Sequence, residues 1–569
     1  MIADEFLEKV RRILANHEDI NELNENLKQK TGLLEFFTSS NDIEEFKGFI
    51  TNLKPLSEKT KDLGDFQTPN HLTNKICAHL NNTGFEPNII IEPTCGTGTF
   101  VMSALNYFPA LKYIYCIELQ REYEWFFKLQ LLRQSFEQEI NVNIEFHRDN
   151  IFTHRFSDRF NQILEKFPRK ILILGNPPWI TSTELSILDS DNVPSKSNIK
   201  GVRGIEALTG KGNFDIAEYI IIQMIQHFQK KQGKIAMLCK TSVIKNIVKD
   251  MRKLNLKLNN IESLIIDAKR EFNINAEAAL FTANFGMNGE KFCTISPLNL
   301  PNHPTKKFGW INDKFASNIE LYEKYKHFDG HCPFIWRQGV KHDAAKVMVL
   351  TSSNKMMLNG LQEEVDVENN LLYPFLKSSD LKAPVIRNTD RKLIVTQRKL
   401  NEETDCIAAE YPRLWNYLLS HAEYLDNRKS AIYKKRPRFS IFGIGDYAFK
   451  PYKVAISGFY KAPNFSLVFP INDKPAMLDD TCYYLFFDNF QDAFFTWILL
   501  NMDFTKEFLS ALVFLDSKRP YTKDILMRIQ IFKIAESLTY ETLNNFYQEH
   551  LAGYLEHNFN ETDFISYLH

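Results

Sequence analysis

Between residue 61 and about residue 300, short apolar runs alternate with amphipathic stretches, and this rhythm restricts the fold more than any other feature of the chain. The runs are Asn88–Phe100, Lys112–Leu119, Asn143–Phe152, Lys170–Trp179, Lys234–Ser242 and Ser263–Lys269. Helical patterns such as Arg121–Phe136 and Asp215–Lys231 lie between them. Strand–helix alternation predicts an α/β fold, a Rossmann-like, doubly wound parallel sheet. Ligands of such sheets bind at the carboxyl ends of the strands.

Residues 1–60 are rich in Glu, Lys and Leu at helical spacing and predict a helical N-terminal extension. Glu45 and Lys47 make the dipeptide pattern of some nucleases, but without an upstream Asp it reads as coincidence. Past residue 310 the rhythm breaks, and Pro301–Pro304 and Phe328–Pro333 look like linkers. The expected division is therefore 1–60, a ligand-binding domain at 61–310, and a separate mixed α+β domain at 330–569. The eight cysteines are scattered with no Cys-x-x-Cys pair, so neither a metal site nor a disulfide framework is expected. Met1–Leu14 is charged and amphipathic, and no apolar run approaches ~18 residues. The expectation is a cytoplasmic protein that does not span a membrane. Its formal net charge of −1 neither favours nor excludes nucleic acid, because a local basic stripe is compatible with it.

Glu92-Pro-Thr-Cys-Gly-Thr-Gly-Thr-Phe100 joins an apolar strand to a helix-compatible run. Gly96 and Gly98 permit a sharp turn and close approach of a ligand. Gly443 and Gly445 lack that context and read as a turn. Glu118 ends the second run, about 20 residues on, where an acid reaches a ribose diol. Asp149 ends the third, placed to accept from an adenine amino group, with Phe152 near enough to lie on the adenine face. Together they point to an adenosine ligand. The loop has neither the Gly-Lys-Ser/Thr of a P-loop nor the full Gly-x-Gly-x-x-Gly of dinucleotide enzymes.

Asn176-Pro177-Pro178-Trp179 follows the fourth run. Two prolines fix a rigid, extended turn that aims Asn176 out of the sheet edge. The Asn176 side-chain oxygen and the Pro177 carbonyl are then placed to grip both hydrogens of an exocyclic amine. That favours a pyramidal nitrogen with an available lone pair, and Trp179 offers a face for an extruded base.

These motifs resemble the gamma-order N6-adenine DNA methyltransferases of restriction–modification systems. The resemblance implies S-adenosylmethionine as cofactor and a methyltransferase sheet. It assigns Asn176, Pro177, Pro178 and Trp179 to catalysis, with Trp179 and Phe272 against the target base. The cofactor set it implies starts with Phe66, Thr68 and Pro69, within Gly64–Pro69. It continues with Glu92, Pro93, Cys95, Gly96 and Gly98, then Glu118 and Leu119, then Asp149, Asn150 and Phe152. Gly212–Tyr219 resembles the segment after the catalytic strand. Trp179 is a departure, since Tyr or Phe is commoner in adenine enzymes; Asn176 favours adenine, since cytosine-N4 enzymes usually carry Ser or Asp there. The same chemistry on cytosine N4, RNA or a protein glutamine, and a non-catalytic DNA-binding protein, stay open as alternatives.

The C-terminal half resembles the target-recognition region of Taq-type adenine methyltransferases, with Leu371–Leu381 matching a recurrent segment. Arg337 and Lys341 open it. Asn427–Lys461 then interleaves aromatics with Arg428, Lys429, Lys434, Lys435, Arg436, Arg438, Lys453 and Lys461. This basic set is expected to grip double-stranded DNA. A cognate restriction endonuclease, or another defence-system subunit, is the expected protein partner.

Overall fold

The computed structural model describes residues 4–15, 19–53, 66–167, 170–181, 215–287, 289–353 and 356–568. The chain divides into two compact units, Met1–Phe315 and Ala316–His569.

The first unit opens with α1 (Asp4–Ala15), α2 (Ile20–Thr31) and α3 (Ser40–Thr51). The side chains of Asp19 and Ser39 cap α2 and α3 by accepting from Asn21 N and Asp42 N. Then follow α4 (Asn70–Asn82), β1 (Ile89–Glu92), α5 (Thr99–Tyr107), β2 (Tyr113–Glu118) and α6 (Arg121–Glu137). Next come β3 (Asn143–Arg148), α7 (Asp158–Lys166), β4 (Ile171–Gly175), α8 (Ile216–Phe228) and β5 (Gly233–Lys240). The unit continues through α9 (Thr241–Asp250), β6 (Leu258–Ile266), α10 (Ala268–Phe272), β7 (Ala278–Phe285), β8 (Phe292–Pro297), β9 (Lys306–Ile311) and β10 (Lys314–Ala316).

The strands form one sheet in the order β10-β9-β8-β6-β7-β5-β4-β1-β2-β3. β3, β2, β1, β4 and β5 are mutually parallel, and β7 inserts antiparallel between β5 and β6. Strand order reverses between β1 and β4, so the crevice of this doubly wound sheet lies beyond the carboxyl ends of those two strands. β1, β2 and β4 are buried along their whole length, as expected of strands covered on both faces. The six expected strands are present. Pro301–Pro304, read as a linker, is instead the connection between the antiparallel β8 and β9.

The second unit holds two five-stranded sheets. One runs Arg337–Gln338, Cys482–Phe487, Tyr452–Ser457, Phe465–Val468, Val385–Ile386. The other runs Met356–Leu358, Val349–Ser353, Arg391–Ile394, Leu372–Leu376, Met477–Leu478. Phe328–Pro333 is no linker either. Phe328 and Cys332 are buried, Cys332 N donates to Met527 O, and Arg528 pairs with Asp329 at 2.6 Å. Among the described residues no helix is long and apolar enough to cross a membrane.

Candidate active site

A cleft of about 980 Å³, counting the part open to solvent, lies beyond the carboxyl ends of β1, β2, β3 and β4. Ligand pockets commonly fall at such a position and size. Phe66, Thr68, Glu92, Pro93, Cys95 and Gly96 line it, as do Glu118, Leu119, Asp149, Asn150 and Phe152, with Asn176 and Pro178. The residues singled out from successive strand ends are thus brought together in one place.

β1 ends in Glu92, 2% exposed, with one carboxylate oxygen lacking a partner among the described residues. Burial pushes its pKa well above the usual carboxylate value; a hydrogen bond from Cys95 opposes this and the nearby Glu118 adds to it. The chain then turns, with φ +55° at Gly96 and +83° at Gly98. Glu118 accepts from Gly96 N and from Gln120 N, both at 2.8 Å, tying the glycine loop to the end of β2. Asp149 accepts from Asn150 N and from His154, each at 2.7 Å. Burial raises the Asp149 pKa, but these two hydrogen bonds outweigh it and the group ends below its usual value.

Asn176 follows Gly175, the last residue of β4. Its Nδ2 donates to Phe66 O at 2.8 Å, which fixes the amide orientation. Its Oδ1 is buried and has no hydrogen-bond partner among the described residues. A buried unsatisfied acceptor costs roughly 1–3 kcal/mol, so Asn176 Oδ1 is held at a cost on a residue of the cleft wall. The Phe66 carbonyl is the orienting group, a link between distant segments that the sequence did not announce.

Several assigned residues stand elsewhere. Gly98 does not line the cleft: a Cβ there would lie 2.3 Å from the Phe127 ring, so packing under α6 demands the glycine, not ligand approach. Pro69 precedes α4 and its carbonyl accepts from Leu72 and Thr73. Pro177 is buried outside the lining. Trp179 and Phe272 are 5% and 8% exposed and meet edge to face at 5.2 Å, with Phe66 packed 5.9 Å and 6.1 Å from them. Gly64 and residues 212–214 lie outside the described residues; from Asp215 on, Ile216 and Ile220 of α8 line the cleft.

Sequence reasoning missed Gln67, whose Oε1 accepts from Thr97 N and Thr97 Oγ1 at 3.1 Å. It also missed Gln120, Ile180, Ile216 and Ile220. The apolar ones come from α8 or from just beyond the Asn-Pro-Pro turn, where an apolar residue looks like ordinary core.

In the second unit the expected basic set separates. Lys429, Lys434, Lys435, Arg438 and Lys461 are exposed; Arg337, Lys341 and Arg436 are partly buried. Arg438 pairs with Asp426 at 2.8 Å and Lys341 with Asp343 at 3.5 Å. Arg337 lies over the Tyr447 ring at 4.5 Å. Two assignments fail. Lys453 is 1% exposed and its Nζ donates to Lys450 O, so it does not reach a phosphate. Arg428 donates to the carbonyls of Leu425, His342 and Ser440, which commits its guanidinium inside the fold.

Residues 52–282 match the family described as N-6 DNA Methylase. The chain is 38% identical over 486 residues to the Type II methyltransferase M.NspV of Nostoc sp., covering 84% of this chain and 98% of that protein. Among solved structures it is similar to the type IIL restriction-modification enzyme MmeI in complex with DNA. That match has a TM-score of 0.45 at 13% identity, over 95% of this chain and 75% of that one. A type I restriction-modification system methyltransferase subunit from Streptococcus thermophilus matches with a TM-score of 0.31 at 12% identity, over 51% of this chain and 64% of that one. With a relative this similar along nearly its full length, and with acids and a glycine loop gathered at the switch point of its sheet, the chain belongs to the N-6 DNA methylase family of restriction–modification systems.

Proposed function

We propose that this enzyme transfers the methyl group of S-adenosylmethionine to N6 of an adenine extruded from a specific DNA sequence, as the modification partner of a restriction endonuclease. The unpartnered Oδ1 of Asn176 carries the reading: a buried acceptor on a residue of the cleft wall, held by its own amide on Phe66 O.

The residues present fit the cofactor. Glu118, at the end of β2, takes the ribose hydroxyls; Asp149 takes the adenine amino group, with Phe152 on the ring face. Glu92, with a buried carboxyl oxygen that lacks a partner among the described residues, faces the methionine end beside Phe66 and Thr68. When bound, the cofactor supplies a methyl group already activated on a sulfonium, so no strong base is required for attack. Asn176 Oδ1 accepts an N6 hydrogen and helps to localise the lone pair on nitrogen. Trp179 takes the extruded ring, and Phe272, which meets Trp179 edge-on at 5.2 Å, gives way to admit it. Lys429, Lys434, Lys435 and Lys461 bear on the phosphates.

Sequencing DNA from an expressing host, with modified-base detection, tests this. N6-methyladenine is expected in one fixed sequence. Asn176→Ala is expected to abolish it at unchanged melting temperature. Finding N4-methylcytosine instead overturns the base assignment.

A further inference from the structure

Asp149 does not stand alone at the end of β3. Asn150 starts a tight turn in which its carbonyl accepts from Thr153 N and His154 N, and this brings His154 back beside Asp149. The His154 side chain is 3% exposed, and its Nδ1 lies 2.7 Å from Asp149 Oδ2. Its Nε2 lies 2.8 Å from the phenol oxygen of Tyr115, a fully buried residue of β2. That oxygen also accepts from Ser157 N at 3.3 Å.

The directions follow from what each group is able to do. An ionised carboxylate only accepts, so His154 Nδ1 carries the proton that goes to Asp149, and on a neutral ring Nε2 accepts from the Tyr115 O–H. Burial, helped by the nearby His147, pulls the His154 pKa below its ordinary 6.5 against the pull of Asp149 and Glu145, in keeping with a neutral ring. The imidazole is wedged by His147 at 5.2 Å and Phe156 at 5.4 Å, so it has one position.

We propose that His154 is a positioning residue for recognition of the cofactor's adenine. The relay from Ser157 N–H through the Tyr115 hydroxyl to His154 Nδ1–H pins one oxygen of Asp149 and keeps the carboxylate an acceptor toward the purine 6-position. This rests on the reading of Asp149 given above. A carboxylate held so rewards a 6-amino group and opposes a 6-oxo group, where two acceptors would meet. Asn150 N holds Oδ1 and His154 holds Oδ2; with the Asn150 contact alone the carboxylate is less firmly fixed and discriminates less.

The test is calorimetric binding of S-adenosylhomocysteine and S-inosylhomocysteine, its 6-oxo analogue, to the full chain. The variants are His154→Leu, His154→Asn and Asp149→Ala, each with its melting temperature. Asp149→Ala is expected to remove the preference for the amino compound. His154→Leu is expected to lower that preference about tenfold, by weakening the amino compound. His154→Asn, which keeps an N–H near the place of Nδ1, is expected to restore much of it. Equal weakening of both ligands in His154→Leu, or wild-type preference in it while Asp149→Ala loses preference, overturns the positioning role alone. Wild-type preference in Asp149→Ala overturns the reading of Asp149, and the inference falls with it.

Discussion

Lys453 sits in the most basic stretch of the chain, yet 1% of it is exposed. It lies on Tyr452–Ser457, between two neighbouring strands and buried from Lys453 onward. Its Nζ has a backbone carbonyl for a partner, and burial pulls its pKa from 10.5 down to about 7. The sign of the linkage follows. Between about 7 and 10.5 the unfolded lysine holds a proton that the folded one has lost, so the unfolded state binds more protons and stability rises with pH across that window. Lys453→Met is expected to be more stable than wild type near pH 7 and to flatten that rise, read from urea midpoints at pH 7 and pH 9.5. The carboxylates at strand ends were legible because position and residue type agree: Glu118 and Asp149 each end an apolar run. Lys453 was not, because counting cations along Asn427–Lys461 ignored that Lys453 opens a run, Val-Ala-Ile-Ser, with strand character on both faces.

At the level of elements, the strands of the first unit were readable because a strand covered on both faces is a short, nearly continuous apolar run. β7 was not recognised as a strand, although Ala278–Phe285 is such a run. The glycine loop shows the same limit. Gly-x-Gly predicted the turn, but which glycine faces the ligand depends on α6, which follows a whole strand later. Gly96 lines the cleft, while Gly98 sits at φ +83° under Phe127. Gly98→Ala adds a left-handed non-glycine residue, about 1–2 kcal/mol, and a Cβ 2.3 Å from a ring atom, which forces Phe127 aside at a further ~1–3 kcal/mol. A loss of about 3 kcal/mol in stability is expected. Gly98→Ala with Phe127→Leu is expected to recover the packing part and leave the backbone part, measured by chemical denaturation of the three proteins.

Over the whole molecule the net charge of −1 conceals where cations are free. Arg428 explains part of the arrangement. By donating to His342 O and Ser440 O and lying 3.7 Å from the centre of the Tyr433 ring, it clamps both ends of the loop that carries Lys434 and Lys435. Lys435 has φ +62°, a conformation that costs an L-residue about 1–2 kcal/mol and persists only where its surroundings impose it. The loop is thus held in place while both lysine side chains stand exposed, the combination a phosphate contact requires. Each phosphate contact contributes roughly 0.9 to the slope of log affinity against log salt on duplex DNA. Lys434→Ala with Lys435→Ala is therefore expected to weaken binding to cognate and unrelated duplexes alike, and to lower that slope by about 1–2. Lys453→Met, which removes an amine already buried inside the sheet, is expected to leave the slope at the wild-type value. Fluorescence anisotropy over a salt series measures all three proteins, and a wild-type slope in the double variant would remove this loop from the DNA interface.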